Sequence, residues 1–128
     1  MNDEIRLQMQ KLGAAARAAA EVLAQASTKA KNTALLAAAA ALRADKAAIL
    51  DANSKDVAET KNIGSATPAF FDRLQLDEAR IETMANGLET VAGLPDPVGK
   101  VLEKWECPNG LHICRVRVPL GVIGCLLY

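Results

Sequence analysis

Pro119-Leu120-Gly121-Val122-Ile123-Gly124-Cys125-Leu126-Leu127-Tyr128 is the stretch on which the fold turns. It is apolar at nearly every position, without the alternation expected of a strand that has one face in water. It therefore reads as a strand buried on both faces, as in the middle of a parallel sheet. Such a strand needs a neighbour on each edge and cover on each face, because an open apolar edge templates aggregation. Within these 128 residues nothing follows it to supply them. The expectation is an α/β protein of which these 128 residues form an incomplete part.

Working back from that strand, Lys100–Cys107 and Leu111–Val118 are rich in Val, Ile, Leu and Trp and are separated by Pro108-Asn109-Gly110. Asn-Gly between two such runs marks a β-hairpin, with a two-residue turn whose residues both tolerate positive φ. On that register Cys107 faces His112, and Cys114 shares their face. Three soft ligands there suggest zinc, but a structural site needs a fourth ligand and none is near in sequence. Ordinary packing on the hairpin face is the simpler reading, and no metal ligand is assigned. His112 lacks an orienting carboxylate that would make it a catalytic base. Arg115 and Arg117 share one face and read as a solvated edge. Gly121-x-x-Gly124 lacks the G-x-G-x-x-G order and the helix N-terminus that aim amides at phosphate; its glycines read as allowing a neighbour to approach closely.

The residues before the hairpin, 1–98, read as helix. Ile5, Met9, Leu12, Ala16, Ala19 and Leu23 recur at spacings of three and four, with Asn2 or Asp3 as cap. Ser27-Thr28 is a second cap, and Leu35, Leu36, Ala39 and Leu42 continue the period on a second helix. The five alanines 37–41 favour helix because they lose no side-chain entropy, and they let a neighbouring helix come close. Asp45 and Asn53-Ser54 read as restarts, giving short helices around 46–51 and 54–62 with Gly64 as C-cap. Thr67-Pro68 starts a turn carrying Phe70, Phe71 and Leu74. Asp77 caps a helix with Ile81, Met84, Leu88 and Val91 on one face, and Pro95 and Pro97 end the helical part.

Composition narrows the function. Fifteen basic and fifteen acidic side chains leave no net charge, and neither half of the chain is biased enough to read as a nucleic-acid or anionic-membrane surface. Of the residues, 25 are alanine and only four are aromatic, so the core is expected to be thin. The uncharged apolar run Ala34–Leu42, like the terminal stretch Pro119–Tyr128, falls well short of the roughly 20 residues a membrane span needs. Cys107, Cys114 and Cys125, an odd number behind an acidic N-terminus with no secretory leader, read as reduced thiols of a cytoplasmic protein.

Several segments in order resemble γ-glutamyl phosphate reductase, the glutamate-5-semialdehyde dehydrogenase of the aldehyde dehydrogenase superfamily. They are Gly13-Ala14-Ala15-Ala16, Lys31-Asn32, Asp51-Ala52-Asn53-Ser54-Lys55-Asp56-Val57, Asp72-Arg73-Leu74, Asp96-Pro97-Val98-Gly99 and Arg117-Val118-Pro119-Leu120-Gly121-Val122-Ile123-Gly124. The last is common across the superfamily; the ordered series is more specific. The reductase half of bifunctional pyrroline-carboxylate synthase is the nearest alternative. The resemblance covers essentially the whole chain but only the N-terminal portion of the family's longer sequence. It implies an aldehyde-dehydrogenase-like fold in which 1–128 is an incomplete cofactor-binding domain. Within it, 1–98 is a helical layer, 99–118 a hairpin of oligomerisation type, and 119–128 the first core strand. It also implies reduction of γ-glutamyl phosphate to glutamate-5-semialdehyde plus phosphate with NADPH, in proline biosynthesis, by a homo-oligomer. The catalytic cysteine of that chemistry lies beyond residue 128, and none of the three cysteines maps onto it. At Cys125-Leu126-Leu127-Tyr128 the chain departs from the family, which continues with a Glu-Ala-Arg-Pro-Asn type loop, so no nucleotide-contacting residue carries over. The 128-residue chain alone is expected to be inactive. The rival reading is a stand-alone helical interaction module whose terminal strand docks on a partner.

The two-sided apolar run carries its own test. Deleting residues 119–128 should raise the soluble yield of the chain, measured after high-speed centrifugation. An unchanged or lower yield would show that this run is not the exposed apolar liability inferred from it.

Overall fold

Five helices and one hairpin make up the computed structural model, which describes residues 3–63 and 67–125. In chain order they are α1 (Asp3–Ala24), α2 (Thr28–Ala44), α3 (Lys46–Ile63), α4 (Pro68–Leu74), α5 (Glu78–Ala92), β1 (Val101–Glu106) and β2 (His112–Val116). They fall into two compact units, one holding α1 with everything from Pro95 onward, the other running from Lys29 to Leu94.

In the helical unit, Ala39 of α2 and Ile81, Ala85 and Ala92 of α5 are buried. Ile81 is the one large side chain fully out of solvent there among the described residues. On α5 the sequence suggested the stripe Ile81–Met84–Leu88–Val91. The buried face is rotated to Ile81–Ala85–Leu88–Ala92, and Met84 and Val91 lie 41% and 51% exposed. Both stripes have helical spacing. The one with alanines is turned inward, as close approach of neighbouring elements favours the smaller side chains. On α2, Leu35, Ala39 and Leu42 point inward as expected, whereas Leu36 is half exposed.

Arg43 links α2 to α5. Its guanidinium bonds to Glu82 at 2.8 Å, to the Asn86 side-chain oxygen at 2.9 Å and to both oxygens of Glu89. The planar fork reaches two carboxylates about two helical turns apart, since residues at i and i+7 fall on one face of α5. Arg43 holds both glutamates below the usual carboxylate value of 4.5, chiefly through these hydrogen bonds, and the same bonds raise the guanidinium's own affinity for its proton. Lys46 adds a 2.7 Å pair to Glu78 at the start of α5.

Two expected breaks are smaller than the sequence suggested. At Asp45 the hydrogen bonds run on, Asp45 N–H to the Ala41 carbonyl at 2.9 Å and Ile49 N–H to the Asp45 carbonyl at 3.0 Å. At Asn53-Ser54 there is no break, because α3 is continuous. Asn53 faces inward and pins the segment between α4 and α5. Its amide nitrogen donates to the Leu74 carbonyl at 2.9 Å and its oxygen accepts from the Leu76 N–H at 2.8 Å. A side chain that reads locally as a cap is thus spent on a tertiary contact, satisfying two part-buried backbone groups of a turn. The expected caps of α4 and α5 are in place: Thr67 accepts from Phe70 N–H and Asp77 from Arg80 N–H. Arg80 then reaches back to the Asp72 carboxylate and the Gln75 carbonyl, closing the same turn. The proposed caps Asn2 and Gly64 lie outside the described residues.

In the other unit, α1 buries no residue fully. Ile5, Met9, Leu12 and Leu23, expected on the packed stripe, are 52–62% exposed, and the half-buried positions are Ala16, Ala20 and Ala24. Thr28 donates to Asp96 at 3.0 Å, and Asp96 also accepts from Val98 N–H, folding the Pro-Asp-Pro turn that leads into β1. Among the described residues no helix is long and apolar enough to cross a membrane.

The paired glutamates give an acid dependence of known sign. Carboxylates whose folded pKa is depressed contribute stability that is present above their ordinary value and lost as pH falls through the folded value. Thermal melts followed by circular dichroism should therefore fall in midpoint below about pH 4.5. Arg43→Met should lower the midpoint at pH 7 and flatten that acid limb. An acid limb as steep in the variant as in the parent would remove the pairing as its cause.

Candidate functional site

Every residue type that suggested chemistry lies between Cys107 and Gly124, in the hairpin and the run that follows it. The hairpin register decides what they can do together. Gly110 N–H donates to the Cys107 carbonyl at 2.8 Å and Cys107 N–H donates to the Leu111 carbonyl at 2.9 Å. Gly110 has φ +82°, and among the described residues no non-glycine residue has positive φ. The loop is therefore three residues, Pro108-Asn109-Gly110, with only glycine left-handed; it is not the two-residue turn expected from Asn-Gly. Proline at the second turn position fixes φ near the value this geometry needs, and the Asn109 side chain accepts from Leu111 N–H at 3.2 Å.

That one-residue difference moves every pair. Glu106, not Cys107, stands opposite His112; Lys104 faces Cys114, Trp105 faces Ile113 and Glu103 faces Arg115. Because side chains alternate along a strand, His112 and Cys114 share a face with Glu106 and Lys104, while Cys107 lies on the other face. The suggested Cys107–His112–Cys114 cluster is not formed, and among the described residues no group of three His, Cys, Asp or Glu is placed to hold a metal ion. Arg115 pairs with Glu103 across the strands at 3.3 Å. A register irregularity between Val101 and Glu103 bends the open end of the hairpin, where Arg117 N–H donates to the Lys100 carbonyl and Gly99 N–H to that of Arg117.

Beyond Val118 the expected core strand is not paired. Residues 119–125 form no ladder, and the sheet has two strands. A strand is held by its neighbours' hydrogen bonds, and nothing described in this chain lies alongside to supply them. Residues 126–128 of that expectation lie outside the described residues. Gly121 has φ +85°, a turn of the backbone that a β-branched residue would resist, and a methyl group built at Gly121 or Gly124 meets no atom within 4 Å. The glycines thus serve backbone conformation at 121 and make no close approach in this structure. The run lies beside α1 and with it lines a cavity of about 580 Å³, walled by Gly13, Ala20, Ala24, Pro119 and Val122 and rimmed by the Arg17–Glu21 pair.

The helices, the hairpin and the apolar run after it define the N-terminal part of an aldehyde-dehydrogenase-like α/β fold. The particular likeness is to γ-glutamyl phosphate reductases, in sequence and in structure alike. The chain is 62% identical over 114 residues to the enzyme of that name from Afipia carboxidovorans, covering 89% of this chain and 26% of the relative. It is 55% identical over 121 residues to that from Parvibaculum lavamentivorans, covering 94% and 28%. Its fold superposes on the γ-glutamyl phosphate reductase of Thermotoga maritima with a TM-score of 0.75 at 42% identity, over 81% of this chain and 25% of that one. For the Saccharomyces cerevisiae enzyme the TM-score is 0.80 at 33% identity, over 86% and 28%. No family model matches the chain. The chain thus spans a little over a quarter of the length of the relatives it matches. The interaction-module reading finds no support among them.

Cross-linking tests the register directly. In a Cys125→Ser background, Lys104→Cys should form an intrachain disulfide with Cys114 on mild oxidation, seen as lost free thiol in the intact mass, whereas the parent's Cys107 and Cys114 should stay reduced. A rapid Cys107–Cys114 disulfide would place those two residues on one face and restore the two-residue turn.

Proposed function

We propose that this chain is the N-terminal part of the cofactor-binding domain of an NADPH-dependent γ-glutamyl phosphate reductase. The reaction takes γ-glutamyl phosphate, NADPH and a proton to glutamate-5-semialdehyde, inorganic phosphate and NADP⁺, in the cytoplasm and in the service of proline biosynthesis. The observation that carries this reading is the 55–62% identity to enzymes of that name along nine-tenths of the chain.

The chemistry of such a reduction needs a thiolate nucleophile and a preorganised oxyanion site beside the nicotinamide. The described residues bring together neither, and they offer no phosphate cradle, so no step is assigned to them. Their role is positioning. The helical unit 29–94 and α1 form a scaffold, residues 119–128 supply one strand of the nucleotide-binding sheet, and the hairpin 99–118 supplies an edge for homo-oligomer contact. Trp105, 42% exposed opposite Ile113, gives that edge an apolar face suited to burial against another subunit.

A chimera tests the reading. Residues 1–124 of this chain, grafted in place of the corresponding segment of the Afipia carboxidovorans enzyme, should leave NADPH oxidation with γ-glutamyl phosphate within about tenfold of the parent, or about 1.4 kcal/mol in activation free energy. The reverse reaction, semialdehyde oxidation dependent on NADP⁺ and phosphate, should be kept likewise. A chimera that folds and assembles but shows neither activity would refute the proposal, and turnover by the 128-residue chain alone would refute the positioning role.

A further inference from the structure

We infer, independently of the proposed function, that Asn109-Gly110 at the tip of the hairpin is a site of spontaneous covalent modification. It deamidates through a cyclic imide while the rest of the chain stays folded, and the fold withholds the same chemistry from Asn86-Gly87 on α5.

The chain contains two Asn-Gly pairs. Such a pair is prone to this reaction because glycine places no side chain in the way of its own nitrogen. At the hairpin tip the Gly110 nitrogen adds to the side-chain carbonyl carbon of Asn109 and gives up its proton to solvent. The bond from that carbon to Nδ2 breaks, and the nitrogen leaves as ammonia with a proton taken from solvent. Water then opens the imide at either carbonyl. Attack at the former side-chain carbonyl gives aspartate. Attack at the main-chain carbonyl gives isoaspartate, in which the main chain runs through the former side chain. Water is the one co-reactant, and nothing is oxidised or reduced.

Solvent access and space do not separate the two pairs. All four residues are exposed, and a methyl group built at either glycine meets no atom within 4 Å outside its own helix turn or chain neighbours. Backbone bonding separates them. Gly87 lies in the middle of α5, where its N–H is committed to the carbonyl one turn back. The Asn86 side-chain oxygen also accepts from Arg43 at 2.9 Å. Freeing the Gly87 nitrogen means unwinding a helix that carries Ile81, Ala85 and Ala92, the buried side of its unit, so the opening costs as much as unfolding that core. Gly110 is held by a single bond, 2.8 Å to the Cys107 carbonyl, in a loop whose three residues are all exposed. The loop can release it while the pairs from Glu106–His112 onward stay formed. Leu111 N–H, 3.2 Å from the Asn109 side-chain oxygen, points at the atom on which negative charge develops as the nitrogen adds. The isoaspartyl product lengthens the main chain of the loop by a carbon and takes the carbonyl that Leu111 N–H uses into the backbone. The three-residue loop then no longer closes at its present length, and the hairpin loosens.

The test incubates the 128-residue chain in mildly alkaline buffer and follows both pairs by peptide mass spectrometry, with electron-transfer fragmentation to tell isoaspartate from aspartate. In the native chain Asn109 should convert at least about tenfold faster than Asn86, and in urea that unfolds the chain the two rates should converge. Asn109→Gln should abolish conversion at the tip with circular dichroism unchanged. The isoaspartyl chain, separated by ion exchange on its new carboxylate, should exchange the amide hydrogens of β1 and β2 at least about tenfold faster than Asn109→Asp, which carries the same charge on an ordinary main chain. Equal rates at Asn109 and Asn86 in the native chain would overturn the inference, as would no native conversion at Asn109 at all. A rate difference that persisted in urea would assign the selectivity to flanking sequence and not to the fold. Amide exchange as slow in the isoaspartyl chain as in Asn109→Asp would overturn the loosening of the hairpin.

Discussion

Arg43 is the interaction on which the helical part of this chain depends. The unit has little else to hold α2 to α5: three buried alanines and one fully buried isoleucine among its described residues. Alanine gains little from burial because it removes little apolar area from water. What alanine permits is proximity, and proximity lets a single guanidinium reach Glu82, Asn86 and Glu89 together. All three charged side chains keep substantial contact with solvent, Arg43 35%, Glu89 40% and Glu82 51%, so water and salt screen the attraction. Its value lies in geometry: a rigid fork with fixed donors sets the rotation of α5 about its axis, and thereby which of two helical stripes faces inward.

The same logic of small side chains and directed polar contacts recurs. Asn53 fixes the turn between α4 and α5 by bonding two backbone groups, and Arg80 closes that turn from the other side. In the other unit, Ala16, Ala20 and Ala24 turn inward while the larger apolar residues of α1 face solvent. A chain with this much exposed aliphatic surface and so thin a core reads physically as a scaffold surface. The hairpin has the opposite character: its two strands pair through a local turn, and the ladder between them is formed by neighbours in sequence.

What the sequence by itself determined is local or collective. The helical character of the chain before the hairpin, the Thr67 and Asp77 caps and the site of the hairpin turn follow from short-range physics, since a hydroxyl or carboxylate three residues from a free N–H binds it wherever the helix sits. The resemblance to the reductases was likewise legible, because ordered short segments such as Asp96-Pro97-Val98-Gly99 keep their identity whatever surrounds them. The candidate site was less so. No catalytic residue was assigned from the sequence, and the cluster of Cys107, His112 and Cys114 dissolved on a single register step. Pro108 was the available signal: proline before Asn-Gly favours the three-residue loop in which only Gly110 is left-handed.

The tertiary structure decided everything that depends on which neighbour is present. Helical spacing names two stripes on α5, but only the tertiary contacts, packing together with the Arg43 fork, choose Ala85 and Ala92 over Met84 and Val91. Asn53 has the chemistry of a cap, and only the arrival of Leu74 and Leu76 turns it into a tertiary pin. An apolar run such as Val118–Cys125 has the composition of a core strand, yet a strand is a property of pairs. The side chains specify an affinity for burial; the hydrogen bonds that make a sheet require a second backbone alongside.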